Sequence, residues 1–298
     1  MPQPISGSTA LAGVLGDPVR HSLSPAMHNA ALAELGLNWV YLALPAPADQ
    51  LAVVLRGLEA VDCRGLNVTL PHKQAVAGLC HSLSPLAERV GAVNTLVRRP
   101  QGGWLGENTD VEGFLAPLLS TEQNWQGRRA VVLGCGGSAR AVVAALVELG
   151  CSSIAMAGRS SDRLAALLAT CHGWAPQLRG LEWAEGSTAL AEALALADLV
   201  VNTTPVGMAA AGNPDAARHC PISPGELEAL QPGSTVYDLI YTPRPTALLL
   251  VASQRGCRGL DGLEMLVQQG AASLRRWSGI EQVPLAAMRA AALAQLGP

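Results

Sequence analysis

An α/β architecture is predicted by three features of the sequence. Apolar, strand-like runs alternate with helical patterns along nearly the whole chain, the order that builds sheets covered by helices. The apolar residues are aliphatic, with one Phe and three Tyr among 298 residues, as suits parallel sheets buried on both faces. A fresh strand–turn–helix unit with closely spaced glycines begins near the middle of the chain. At 49% hydrophobic and 14% charged residues the chain can bury a large core and does not read as disordered; its length suits one large domain or two ordinary ones.

The elements follow in order. Residues 11–16 form the first expected strand, and a helix follows at Ser24-Pro25, where Ser caps and Pro takes the first turn. Residues 39–44 read as a strand, 49–58 as a helix and 66–70 as a strand. Strands at 92–98 and 104–106 are joined by the Gln101-Gly102-Gly103 turn, and a helix is expected over 109–119. The polar segment 121–128 reads as a boundary. Beyond it, a strand at 129–133, a helix at 138–149 and a strand at 153–157 make a βαβ unit of normal size. The stretch 188–200 reads as a helix leading into a strand. Further strands are expected at 199–201, 235–239 and 258–260, with closing helices at 265–277 and 283–296.

Composition excludes several classes. A net charge of −3 without a basic cluster argues against nucleic acid as a partner. No run of 18 apolar residues exists, and the start lacks the charged head and apolar stretch of a signal peptide, so no membrane span or export is expected. Seven scattered cysteines with no C-x-x-C pair fit free thiols in a reducing cytosol. The six histidines lack a ligand spacing, His21 and His28 read as structural, and no metal is expected.

The glycine unit carries the first chemistry. Strand 129–133 runs into G-x-G-x-x-A: Gly134 permits a tight turn, Gly136 lets the backbone approach a pyrophosphate, and Ala139 allows close helix–strand contact. Gly137 and Ser138 open the helix, whose N-terminus faces the anion. The alternative is a glycine-rich turn without a ligand. An NAD site usually carries Asp or Glu after the second strand. Here Arg159, Ser160 and Arg163 follow it, and Asp162 lies inside the next helix. Two arginines around a hydroxyl suit the 2′-phosphate of NADP, unless both merely cover the surface.

Polar residues gather at other strand ends. Ser22 and Ser24 lie two apart where a helix begins, which suits a carboxylate site or simple capping by Ser24. Asn67 and Thr69 alternate onto one face, with Lys73 after the next turn; taken singly, such a Lys is normally solvated. Asn94 and Asp110 add an amide and a carboxylate, and Asp110 alone would read as a helix N-terminal acid.

In this order the segments resemble the shikimate dehydrogenase family. Its motifs are readable at Gly16-Asp17-Pro18-Val19-Arg20-His21-Ser22-Leu23-Ser24-Pro25-Ala26-Met27-His28-Asn29, Asn67-Val68-Thr69-Leu70-Pro71-His72-Lys73, Gly91-Ala92-Val93-Asn94-Thr95 and Gly106-Glu107-Asn108-Thr109-Asp110. The glycine loop, Asn202–Met208 and Asp261–Ala271 complete the set, which runs from Gly16 to about Gly279. Two positions depart from the pattern. Gly158-Arg159-Ser160 stands where Asn-Arg-Thr is frequent, which puts an adenosine contact in question, and Glu107 occupies a place often aromatic.

The resemblance implies two domains with an active-site cleft between them. The first, 1–112 with 263–298, would be an α/β substrate domain; the second, 113–262, a Rossmann-like NADP domain. Ser22 and Ser24 would bind the substrate carboxylate. Asn67, Thr69, Asn94, Asp110 and Gln269 would hold its hydroxyls, with Tyr241 approaching from the cofactor domain. Leu239, Gly262 and Met265 would meet the nicotinamide half. The implied reaction is reversible NADP-dependent reduction of 3-dehydroshikimate to shikimate, on the route to chorismate and aromatic amino acids, by a cytoplasmic monomer or homodimer. Lys73 would supply charge and a proton to the developing alkoxide, with Asp110 as its partner. A quinate/shikimate dehydrogenase with relaxed substrate or NAD use, and a non-catalytic metabolite sensor, are the rival readings. Arg159 and Arg163 argue against NAD, and the presence of both Lys73 and Asp110 argues against the sensor.

Overall fold

A computed structural model describes residues 4–181, 183–184, 187–209 and 213–296. The chain divides into two compact units, Met1–Phe114 with Leu266–Pro298, and Leu115–Met265. The first contains β1 (Ala10–Gly16), α1 (Ser24–Glu34), β2 (Trp39–Pro45), α2 (Leu51–Ala60), β3 (Gly65–Val68), β4 (Ser82–Leu83), α3 (Pro85–Val90), β5 (Thr95–Arg98) and β6 (Trp104–Glu107). Helix α4 (Asp110–Leu119) leads out of it. The second holds β7 (Arg129–Leu133), α5 (Gly137–Glu148), β8 (Ser153–Ala157), α6 (Ser161–Cys171), β9 (Leu178–Leu181) and α7 (Ala189–Leu194). It continues with β10 (Leu199–Asn202), α8 (Pro224–Leu227), β11 (Thr235–Asp238), α9 (Ala247–Gln254) and β12 (Arg258–Leu260). Helix α10 (Leu263–Ser278) re-enters the first unit, and α11 (Leu285–Leu296) ends it.

The first unit's six-stranded sheet has the order β2-β1-β3-β5-β6-β4. Strands β2, β1 and β3 run parallel, whereas β5 pairs antiparallel with both β3 and β6. Leu15, Leu66, Val68, Val76, Leu96 and Trp104 form one buried cluster, packed against Leu58 and Val54 of α2. The second unit's sheet, β12-β11-β10-β7-β8-β9, is wholly parallel. This is the doubly wound order, in which ligands gather beyond the carboxyl ends of the strands where the order reverses, here between β7 and β10. Val131, Leu133, Val200 and Val236 supply its aliphatic core.

Small differences from the sequence expectations matter for the site. Helix α1 begins at Ser24 itself, with Leu23 in the cap position and no side-chain cap, so capping by Ser24 is not its role. Strand β3 ends at Val68 and β5 begins at Thr95, which leaves Thr69 and Asn94 just outside the ladders. Strands β4 and β9 and helices α3 and α8 are too short, or too irregular in pattern, to stand out in the sequence, although Ser84 before Pro85 does cap α3. Among the described residues no helix is long and apolar enough to cross a membrane.

His28 of α1 lies fully buried with its ring stacked on Tyr41 of β2, centroids 4.1 Å apart and planes 8° apart. Neither ring nitrogen has a hydrogen bond of ordinary geometry, and burial holds the imidazole neutral, lowering its pKa to about 3 against a weak opposing influence from Asn67. Such a depressed pKa contributes stability above the unfolded value near 6.5, lost progressively as pH falls toward 3. His28→Phe keeps a flat ring on Tyr41 and removes the titration. Urea unfolding from about pH 6 to about pH 5 should weaken the wild type by roughly 1 kcal/mol more than the variant. Parallel pH profiles would show that His28 is protonated in the folded chain.

Candidate active site

The loop after β3 carries Lys73 back toward the start of β5. His72 N–H donates to Thr69 O at 2.9 Å, and Val93 N–H donates to Lys73 O at 2.7 Å. These bonds set Lys73 beside the segment that holds Asn94. Asn108 prepares the opposite side: its Oδ1 accepts from Asp110 N at 3.1 Å and Val111 N at 3.4 Å, while its Nδ2 holds Ala92 O at 2.9 Å. That arrangement starts α4 with Asp110 in its first turn, where the helix dipole favours a carboxylate.

Lys73 and Asp110 meet directly. Lys73 Nζ donates to Asp110 Oδ2 at 2.6 Å, with side-chain exposures of 12% and 5%. The second carboxylate oxygen accepts from Asn94 Nδ2 at 2.9 Å. Asn94 is itself fixed, since its Oδ1 accepts from Thr109 N at 2.7 Å. Its amide nitrogen also reaches Thr109 Oγ1 at 2.9 Å and Gln269 Oε1 at 3.2 Å. Gln269 Nε2 bonds Leu266 O one turn earlier in α10 at 2.8 Å.

Ser273 and Tyr41, neither of them singled out in the sequence, extend the network. Ser273, one turn after Gln269, donates to Gln269 O at 3.0 Å and lies 2.8 Å from Thr95 Oγ1 and 3.2 Å from Thr109 Oγ1. Asn67 Nδ2 donates to Ser273 Oγ at 2.8 Å, and Tyr41 O–H donates to Asn67 Oδ1 at 2.7 Å. The Ser24 hydroxyl bears on the same phenol, which burial pushes well above its ordinary pKa. A polar residue at i+4 from Gln269, on the buried face of an amphipathic helix, was the available signal for Ser273.

Thr69 is half-buried just past β3, and its N–H donates to Leu15 O at 2.8 Å. Ser22 Oγ accepts from the backbone N–H of Ser24 at 3.2 Å; Ser24 is buried and Ser22 half-buried. Glu107 also acquires a role: its carboxylate lies 3.7 Å from Arg276 Nε of α10, and its carbonyl accepts from Asn94 N at 3.1 Å. Glu112 pairs with Arg275 and Arg276 on the same helix, so two acidic side chains hold α10 against this edge of the unit.

The second unit gathers the expected cofactor residues at the carboxyl ends of its strands. Gly134 has φ +104°, a left-handed conformation that favours glycine, and a Cβ there would stand 2.6 Å from Thr203 Oγ1. Gly136 occupies the cap of α5 without a side-chain cap, and a Cβ on it would meet nothing within 4 Å. Gly137 and Ser138 open α5, whose first N–H groups have no partner within the helix, while Ala139 is buried. Arg159 and Arg163 are exposed and in no ion pair among the described residues, and Ser160 Oγ accepts from Arg163 N at 3.4 Å to cap α6. The glycine loop, helix N-terminus and two arginines fit a phosphorylated dinucleotide.

A second fixed point lies at the ends of β10 and β11. Buried Asp238 accepts from Asn202 Nδ2 at 2.9 Å, Ile240 N at 3.2 Å and Thr246 Oγ1 at 2.7 Å. Burial raises its pKa to about 6 against these hydrogen bonds. It anchors the segment bearing Leu239 and Tyr241, whose phenol burial also pushes up. Gly262 lies flush on that segment: a Cβ there would fall 2.0 Å from Leu239 O, so Leu239 and Gly262 are brought together. Met265 is buried at the start of α10.

Two family profiles match the chain: "Shikimate dehydrogenase substrate binding domain" over residues 14–96, and "Shikimate 5'-dehydrogenase C-terminal domain" over residues 262–293. A shikimate dehydrogenase (NADP(+)) of Synechococcus sp. strain JA-3-3Ab is 49% identical, covering 100% of this chain and 99% of the relative. A Thermus thermophilus shikimate 5-dehydrogenase, solved with NADP(H) and shikimate, superposes with a TM-score of 0.83 at 35% identity, covering 96% of this chain and 100% of that one. A Corynebacterium glutamicum quinate dehydrogenase, solved with NAD, gives 0.84 at 31% identity, covering 96% and 99%.

Ser273→Ala should leave the Asn67 amide and the Thr95 and Thr109 hydroxyls short of a partner, at about 1–3 kcal/mol in urea unfolding. Ser278→Ala is the control, because Ser278 makes the same bond one turn back, to Leu274 O at 2.7 Å, and no side-chain bond to the network. Equal losses would show that Ser273 is no hub.

Proposed function

The chain belongs to the shikimate dehydrogenase family, and we propose that it catalyses the reversible NADP-dependent reduction of 3-dehydroshikimate to shikimate. The observation that carries this reading is the buried Lys73–Asp110 contact of 2.6 Å, set among polar side chains able to hold a small polyhydroxy acid. The unit Met1–Phe114 with Leu266–Pro298 serves as the substrate domain, and Leu115–Met265 as the NADP domain.

Ser22 and Ser24 receive the carboxylate. The Ser22 hydroxyl lies on the Ser24 backbone N–H, and the Ser24 hydroxyl is not occupied in capping α1. Thr69, Asn94, Asp110 and Gln269 take the ring hydroxyls. Asn67 acts one step behind them, because its amide already bonds Tyr41 and Ser273 within the core. On the cofactor side the α5 N-terminus takes the pyrophosphate, Arg159 and Arg163 take the 2′-phosphate beside Ser160, and Leu239, Gly262 and Met265 border the nicotinamide, with Tyr241 assigned to the substrate.

NADPH, when bound, supplies the hydride that reduces the C3 ketone. Lys73 donates a proton to the oxygen as negative charge develops there, and recovers one from solvent; in the oxidative direction it accepts the proton from the hydroxyl. Asp110 holds the ammonium in place and balances its charge, and Asn94 fixes the carboxylate that does so. Seven free cysteines, four of them with thiols pushed up to about 11 by burial, suit a reducing cytosol.

Spectrophotometric assays on shikimate and quinate with NADP+ and NAD+ test the reading. Shikimate with NADP+ should give the highest kcat/KM; a preference for quinate or NAD+ would replace it with the rival reading. Lys73→Ala should lower kcat by about a hundred- to ten-thousand-fold with a much smaller rise in substrate KM. An unchanged kcat would remove Lys73 from the chemistry.

A further inference from the structure

Two unusual positions of the second unit face one another. Cys135 is the variable residue between Gly134 and Gly136, and Gly158 stands where the family pattern often has Asn. Leu133 of β7 lies in register with Ala157 of β8, and Gly134 N–H donates to Ala157 O at 2.8 Å. The loops leaving the two strands therefore start side by side. A Cβ on Gly158 would stand 2.6 Å from Cys135 Sγ, far inside the roughly 3.5–4.0 Å of a relaxed carbon contact. Its other neighbours, Cys135 Cβ and Leu164 Cβ, would both be 3.7 Å away, which is ordinary packing. Gly158 has no positive φ, so its backbone would accept any residue type. Of these neighbours the sulfur is the one atom that would have to move to admit a side chain there, by turning about the single torsion of Cys135.

We propose that Cys135 and Gly158 are a size-complementary pair: the thiol excludes a side chain from the end of β8, and selection of the adenosine end of the cofactor rests on Arg159, Ser160 and Arg163 instead. This inference rests on the NADP reading above. The thiol is neutral, since burial raises its pKa against the opposing charge of Arg163, and so it adds no repulsion toward a phosphate. An asparagine at position 158 would drive the sulfur from its place in the loop between Gly134 and Gly136. The damage would reach the pyrophosphate site as well as the ribose. A smaller residue at position 135 would remove the conflict.

A double-mutant cycle of Gly158→Asn and Cys135→Ala tests the pair, read as KM for NADP+ at saturating shikimate and as the Tm of the cofactor-free enzyme. In the wild-type background Gly158→Asn should raise the NADP+ KM about tenfold, with the shikimate KM nearly constant. In the Cys135→Ala background the same change should cost about twofold or less. Its Tm loss should shrink in parallel. Equal KM increases and additive Tm losses in the two backgrounds would overturn the proposal. Should wild-type enzyme prefer NAD+, the NADP reading falls, and the cofactor-free Tm cycle alone decides the pairing. Gly158→Ala, which adds the Cβ and nothing more, replaces Asn if that variant does not fold.

Discussion

Placing an ammonium and a carboxylate together where both side chains are largely removed from solvent constrains everything around them. Removing both ions from water is expensive, and their attraction repays the cost only when the geometry is good and the remaining lone pairs are bonded. Lys73 and Asp110 meet the first condition at 2.6 Å, and Asn94 meets the second by donating to the other carboxylate oxygen. Asn94 in turn needs its own carbonyl held, which Thr109 N–H does. Each step outward recruits another element: Gln269 and Ser273 from α10, Asn67 from β3, Tyr41 from β2. The polar core of this unit is thus one connected system, and such systems are stable only when nearly complete.

The same logic explains the charges on the rim. Glu107, Glu112, Arg275 and Arg276 are more exposed than the central pair and each contact is worth little alone. Their value lies in registering α10, so that Gln269 and Ser273 arrive beside Asn94 and Asn67. In the other unit a single buried carboxylate, Asp238, does the comparable work for two loops at the ends of β10 and β11. Both units set most of their fixed polar groups at or near strand ends, beside clusters that are largely aliphatic.

Much of this was legible in the sequence because local chemistry and global position agree. The glycine loop needs its strand and helix, and both are strongly periodic; the long strands and helices of both sheets follow the same rule. Lys73, Asn94 and Asp110 were readable as candidates because they stand at strand ends within recognisable motifs. Ser273 and Tyr41 were not, because a lone hydroxyl in a helix and a Tyr in a strand carry no local mark; their roles exist only through partners about 180 and 26 residues away. The capping role open to Ser24 failed for a related reason, since Leu23 already adopts helical angles and the helix begins one residue earlier than capping by Ser24 requires. The Cys135–Gly158 contact is also invisible locally: two small residues become informative only when two parallel strands set them face to face.

The chemistry turns on what Lys73 and Asp110 touch when substrate is present. A crystal structure with shikimate and NADP+ bound measures this directly. Lys73 Nζ should lie about 3 Å from the hydroxyl on the carbon nearest the nicotinamide, with the Asp110 carboxylate still in contact with the ammonium. A shikimate seated with that hydroxyl turned to other side chains, and the Lys73–Asp110 pair remote from it, would contradict the assignment of the pair to the chemistry.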